Sequence, residues 1–184
     1  MIHPSAEIAS SAKIGKRTKI WHHAQIRENV LIGSDCIISK GVYIDKDSQI
    51  GNTVKIQNYT SVYHQTVIED GVFIGPYVCV TNDKFPRSTT NEGKLKTDGD
   101  WKSHITIIKQ GASIGAGSIL LPGLTIGEFS LVGAGSLVTR DVPSHALIYG
   151  SPARIVGFVC RCGNHISRGQ QKPKILWCIE CLKK

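Results

Sequence analysis

Four of the chain's cysteines fall in one segment, CRCGNHISRGQQKPKILWCIEC. Their order is Cys160-x-Cys162, fifteen further residues, then Cys178-x-x-Cys181. Two close thiol pairs at that separation suit tetrahedral zinc in a ribbon-like structural site. The first pair has one intervening residue where two are usual, so a metal-free tail and a redox role stand as alternatives. A reducing cytosol argues against disulfides, and a metal would serve as a folding staple for a segment too short to build a core. A second group of reactive side chains surrounds a polar stretch, TNDKFPRSTTNEGKLKTDGDWKSHITI, over residues 81–107. His64, just upstream, titrates near neutral pH and suits a general base, against the reading of an ordinary wall histidine. Asp83 is a base or a turn residue. Asn82 cannot take a proton near neutral pH, so it suits positioning.

These residues interrupt or follow a rhythm. From Ile2 to Val80, every sixth residue is Ile or Val. Four residues after each of the first thirteen stands a small or slim side chain, such as Ala24, Cys36, Thr60 and Val78. Gly15, Gly33 and Gly51 recur every eighteen residues. A period of six fits neither a helix nor a long alternating strand; it fits a short β segment plus a turn. Three such sides make a triangular coil, stacked on the next at about 4.8 Å. Ile and Val fill the prism, slim residues fit near its corners, and the glycines supply turn freedom. The rhythm stops at Val80 and resumes in another frame at Ile108, Ile114, Leu120, Ile126, Val132 and Val138. This predicts about six to seven coils, with a loop insertion over 81–107 that carries the site. Trp101 is expected to anchor that loop. Cys36 and Cys79 sit in or beside the repeat and read as structural.

Net charge is +8. Much of it lies beyond Phe158, where six Lys/Arg meet one Glu. That is no basic stripe along a domain, so nucleic acid is not an expected partner. No apolar stretch has the length of a membrane span, and MIHPSAEIAS lacks the layout of a signal peptide. A cytoplasmic protein is expected.

The stretches KIWHHAQIRE (Lys19–Glu28), KIQNYTSVY (Lys55–Tyr63) and IEDGVFIGPYVCVTNDKFPR (Ile68–Arg87) carry a resemblance, as does the long run from Gly111 to Gly157. Together they resemble the bacterial nucleotide-sugar amine N-acetyltransferases, a branch of the hexapeptide-repeat acyltransferases. TNDKFPR is the more specific signal, and the last run is shared widely. The resemblance implies an all-β, left-handed parallel β-helix over residues 1–157. The handedness comes from the resemblance, since general crossover rules favour the opposite hand. Residues 158–184 form the Cys-rich, zinc-ribbon-like appendage. It also implies a homotrimer with sites between subunits. The implied function is acetyl transfer from acetyl-CoA to the amine of a UDP- or dTDP-linked amino sugar, for surface polysaccharide such as lipopolysaccharide.

The resemblance places Asn82 at the sugar amine. It puts His22, Gln57, Asn58 and Tyr63 at the substrate, with Arg27 or Arg87 available for a carboxylate. For His22, packing competes with substrate contact; for Gln57 and Asn58, a corner ladder competes. Ala116 and Ala134 would line the pantetheine arm. Arg140 and Arg154 suit coenzyme phosphates, since a guanidinium matches phosphate oxygens; a structural ion pair competes for Arg154. A neutral amine needs no covalent enzyme intermediate, so holding it against the thioester and stabilising the oxyanion suffice. Rivals are another O- or N-acyltransferase of the hexapeptide class, a γ-class carbonic-anhydrase-like metalloenzyme using His22, His23, His64 and His104, and a non-catalytic scaffold.

Overall fold

The computed structural model describes residues 1–100, 102 and 104–183; Trp101 lies outside them. Nineteen two-residue strands run from β1 (Glu7–Ile8) to β19 (Leu137–Val138). In each, the first side chain faces out and the second faces in, as β1 shows with exposed Glu7 and inward Ile8. From β1 to β16, every strand pairs in parallel with the one a full coil later. Glu7 sits opposite Gln25 and Ile8 opposite Ile26. The result is a three-walled parallel β-helix.

The inward column is the core. Ile38, Ile44, Ile56, Ile74, Ile108 and Ile114 are each 0% exposed. Full burial of such a side chain is worth about 1.5–3 kcal/mol. The slim residues close the corners as the sequence implies. Several of the Thr and Ser hydroxyls among them meet carbonyls of the following coil: Thr60 Oγ1 donates to Gly75 O at 2.7 Å and Ser118 Oγ to Gly133 O at 3.1 Å. Leu124, the large residue in this series, is also buried.

Two expectations need correction. One wall is eight layers deep, from Ile2 on Ile20 up to β20 (Ala146–Gly150), so the helix has about eight turns and not six to seven. The count from sequence stopped at Val138; Val142 bridging Ile126 and Ile148 opposite Val132 carry the stack further. The second concerns Gly15, Gly33 and Gly51. None has a positive φ. A Cβ on Gly33 would lie 2.5 Å from Gly51 O, so these glycines permit close backbone approach. The left-handed corner residues are mostly not glycine: Arg17, His23, Asp35, Tyr59, Tyr77 and Phe129 all have φ between 52° and 61°.

The loop leaves after Val80 and returns at Ile107 without disturbing the ladder, for Ile68 pairs directly with Ile108. Within it, Thr89 and Leu95 form an antiparallel bridge and Asp98–Asp100 a short 3-10 turn. At the far end β20 turns back on β21 (Ala153–Val159), which pairs with β22 (His165–Arg168). The strand β21 runs through the expected boundary at residue 157, and Phe158 belongs to the core. A short helix, α1 (Ile179–Leu182), follows.

Replacing Ile56 by Ala should cost about 2–5 kcal/mol, whereas Lys55→Ala, on the outward face, should stay within about 0.5 kcal/mol. Urea unfolding followed by far-UV circular dichroism checks both values.

Candidate active site

Each corner repeats along the prism, so three edges run its length. One edge carries residues 21–23, 39–41, 57–59, 75–77, 115–117 and 133–135. Its two halves differ. The lower half is polar and aromatic. The rings of His3 and His22 stack with centroids 3.4 Å apart, and Tyr59 stacks on Tyr77 at 5.4 Å. Trp21, His22, Ser39, Lys40 and Asn58 line a shallow depression of about 220 Å³. Desolvation, then His3, His23 and Lys40, push the His22 imidazole below its ordinary value, so it stays neutral at neutral pH.

The upper half carries nothing larger than a methyl: Gly115-Ala116-Gly117 lies under Gly133-Ala134-Gly135. A Cβ on Gly117 or Gly135 would meet nothing within 4 Å, so space opens above this edge. The backbone matters here. On a second edge, the N–H of Ser34 donates to Asn52 Oδ1 at 2.9 Å, and the N–H of Asn52 to Asp70 Oδ1 at 2.6 Å. On the first edge the equivalent positions are Ala116 and Ala134, which have no such side-chain oxygen. Among the described residues, their N–H groups have no acceptor. A buried or ligand-covered N–H demands a partner, so these two suit an extended ligand bearing carbonyls.

The third edge carries Arg27, Tyr63 and His64, then the loop with Asn82, Asp83 and Arg87. Arg27 Nε donates to Glu28 Oε2 at 2.9 Å and Nη1 to Tyr43 Oη at 3.4 Å, with Asp45 3.9 Å away. Tyr43 donates to Asp45 Oδ1 at 2.9 Å and meets Tyr63 edge-on. Burial and Asp45 raise the Tyr43 pKa. Thus Arg27 is already engaged with acids. His64 Nδ1 lies 3.1 Å from Lys46 O and 3.7 Å from Asp47 Oδ2. A carbonyl only accepts, so this contact puts a proton on Nδ1. Asp83 Oδ1 accepts from Phe85 N at 2.8 Å, which is the turn reading. Arg87 donates to Pro86 O. Asn82 is half-buried, and no described side chain or backbone group bonds its amide.

Arg140 and Arg154 come together at the top of the prism, where both line a cavity of about 150 Å³ shared with Gln170. Arg154 forms no ion pair among the described residues; it donates to Ala153 O at 3.0 Å. Cys160, Cys162, Cys178 and Cys181 converge, their sulfurs all within 4.8 Å of one another. Hydrogen bonding from the Cys181 N–H draws the Cys178 thiol down to about 6. Sharing hydrogen bonds with Cys162, Cys160 and Cys178 pushes Cys181 up to about 12. No histidine group forms a comparable cluster among the described residues, which removes the support for a carbonic-anhydrase-like site. Cys36 is buried and donates to Gly51 O; burial raises the thiol pKa of both Cys36 and Cys79.

The expected site residues therefore divide between two edges that flank one wall. Sequence reasoning missed His3, Lys40, Tyr43 and Asp45. Counting in eighteens would have aligned Lys40 with His22 and Asp45 with Tyr63; His3 and Tyr43 lie off those columns.

Residues 11–46 and 47–82 match the family model described as bacterial transferase hexapeptide (six repeats). Residues 105–140 match the hexapeptide repeat of succinyl-transferase. Together these segments span more than half of the chain. A dTDP-3-amino-3,6-dideoxy-alpha-D-galactopyranose 3-N-acetyltransferase from Aneurinibacillus thermoaerophilus is 63% identical over 57 residues, 31% of this chain and 30% of that protein. The chain thus spans less than half the length of such curated relatives. A mutant of GDP-perosamine N-acetyl transferase from Caulobacter crescentus, in complex with CoA and GDP-perosamine, superposes with a TM-score of 0.56. It is 27% identical, over 85% of this chain and 55% of that one. A galactoside acetyltransferase in complex with coenzyme A gives a TM-score of 0.59 at 26% identity, over 69% of this chain and 64% of that one.

Replacing His3 by Ala should raise the His22 pKa, because it removes a like charge and part of the desolvation. Imidazole chemical shifts followed by NMR through a pH titration read the change; a further fall would contradict this account.

Proposed function

Because the chain belongs to the hexapeptide-repeat transferases, we propose that it moves an acetyl group from acetyl-CoA to the amine of a nucleotide-linked amino sugar. One observation carries the reading: the upper edge at Ala116 and Ala134 offers N–H groups with no acceptor among the described residues and no side chain larger than a methyl. That surface suits an extended pantetheine arm, whose amide carbonyls accept. Arg140 and Arg154 stand together where coenzyme phosphates would meet guanidinium groups. The likeness to sugar N-acetyltransferases supports an amine acceptor.

The reaction needs little from side chains. The amine lone pair attacks the thioester carbonyl, and a C–N bond forms. An edge N–H stabilises the oxyanion. The C–S bond then breaks, and the leaving thiolate takes the proton that the amine loses. Asn82 orients the amine. His64 serves at most to relay that proton, and Asp83 shapes the loop. His22, Gln57, Asn58 and Tyr63 hold the sugar nucleotide, with Arg87 as the cation for a carboxylate, since Arg27 is engaged. Tail thiols serve structure and stay out of the chemistry.

A single chain keeps Asn82 and Ala116 on opposite sides of one wall. We propose that a homotrimer unites them, the loop edge of one copy facing the small-residue edge of the next. Such an enzyme fits cytoplasmic synthesis of surface polysaccharide.

Purified protein incubated with acetyl-CoA and a panel of nucleotide amino sugars should release thiol with one or a few of them; silence across the panel, with CoA bound, would sink the acceptor assignment. Ala134→Trp should raise the KM for acetyl-CoA by roughly tenfold or more. Asn82→Ala should lower kcat by about 10²-fold, a loss typical of misplacing a reactant, and wild-type rates in that variant would remove Asn82 from the mechanism. Sedimentation equilibrium should give three copies.

A further inference from the structure

The acetyl-transfer reading leaves the tail unexplained, and the tail poses a stability problem. The helix α1 has four residues, buries none of them and has no side-chain N-cap. Ile175, Ile179 and Leu182 are all more than 60% exposed. A helix this short is not stable alone in water, and no apolar core holds it. Something other than hydrophobic burial must.

The thiols supply the answer. Cys162 Sγ and Cys178 Sγ are 3.5 Å apart, and all four tail sulfurs lie within 4.8 Å of one another. A tetrahedral zinc centre with Zn–S bonds of about 2.3 Å sets its sulfurs about 3.8 Å apart. A disulfide would need about 2.05 Å, and all of these cysteines are free. Two tight turns present the pairs. Gly163 N donates to Cys160 O at 2.8 Å, and Cys181 N to Cys178 O at 3.1 Å. Asn164 Nδ2 reaches Cys178 Sγ at 3.7 Å, as an outer-shell donor to a thiolate does.

The same turns are fixed to the prism. Arg161 lies between the first two cysteines. Its guanidinium sits 5.6 Å from the Phe129 ring on the prism edge and 5.7 Å from the Trp177 ring, next to Cys178. His145 on that edge exchanges hydrogen bonds with Val159, at 2.8 and 2.9 Å. One cation thus links the prism, the first thiol pair and the approach to the second.

We infer that Cys160, Cys162, Cys178 and Cys181 bind one Zn²⁺ as thiolates, and that this ion seats the tail on the prism through Arg161. Each thiol that is still protonated releases its proton to solvent as its S–Zn bond forms; no electron is transferred. The seated tail walls two cavities. Residues Val159–Gly163 face Gly111 and Phe129 across one of about 530 Å³, and Gln170 joins Arg140 and Arg154 at the other. Loss of the ion removes a wall from each. This holds whatever the prism's substrate is.

The test uses the full chain as purified under reducing conditions. Elemental analysis should find one zinc per chain. Hydrogen–deuterium exchange after release of the metal by a thiol-modifying reagent, or in Cys162→Ser, should show protection lost across residues 160–183 and kept in the prism strands and in β21. Cobalt in place of zinc should give the visible bands of a tetrahedral thiolate centre. Arg161→Ala should keep the metal stoichiometry yet make Trp177 more accessible to a collisional quencher. The proposal is overturned by any of four results: no metal with a protected tail, stoichiometric iron, a mass deficit marking disulfides, or a tail whose exchange ignores the metal.

Discussion

The spacing between neighbouring strands governs this molecule. Turns must stack at about 4.8 Å, so whatever stands at a corner must let the next corner pass directly above. Where backbone meets backbone, only glycine fits, as at Gly15, Gly33, Gly75 and Gly115. Where the third corner residue turns left-handed, the stack imposes the conformation on Arg17, Tyr59 and Phe129 regardless of propensity. A non-glycine residue there carries strain of order 1–3 kcal/mol, which the parallel ladders and the inward Ile column must outweigh. Local preference yields to a long-range repeat.

The same spacing explains how one backbone makes three different edges. Except where it is proline, as at Pro76 and Pro122, the middle residue of a corner offers an N–H outside the wall ladders. One edge consumes these donors with its own side chains, through Asn52, Asp70 and Glu69. Another leaves them unused beneath Ala116 and Ala134. The difference costs no change of fold, since only side chains at equivalent positions are exchanged.

Much of this was legible in the sequence, and the reasons differ by element. Ile and Val every sixth residue fixed the walls and the core, because each inward position is buried in the same way. The slim residues fixed the corners, because a larger one would collide with its copies above and below. The glycine column was seen but misread: spacing alone does not distinguish torsional freedom from close approach. The turn count fell short because Val142 and β20 leave the period while keeping the stack. The candidate site was a set of residue types and not a place, since Asn82 and Ala116 prove to lie on different edges. The Phe129–Arg161–Trp177 contact was beyond reach, for it joins residues with no shared period.

The loop shows why a broken repeat can still hold a side chain in place. Ile68 pairs with Ile108 across a separation of 40 residues where 18 is the rule, so the ladder closes over the insertion. Closing a longer loop adds little entropy, since the cost grows only with the logarithm of its length. Its first residue remains part of the wall. Thr81 N and Oγ1 both donate to Leu120 O, at 3.0 and 2.7 Å. Asn82 is the next residue, one peptide unit from a position fixed by the stack, while Phe85 and Leu95 further along are more than 70% exposed. Rigidity therefore falls off along the loop from its root. Under the proposed acetyl transfer, a residue that must meet a reacting amine within a fraction of an ångström belongs at that root, and one that must adapt to a sugar belongs further out, where Arg87 stands.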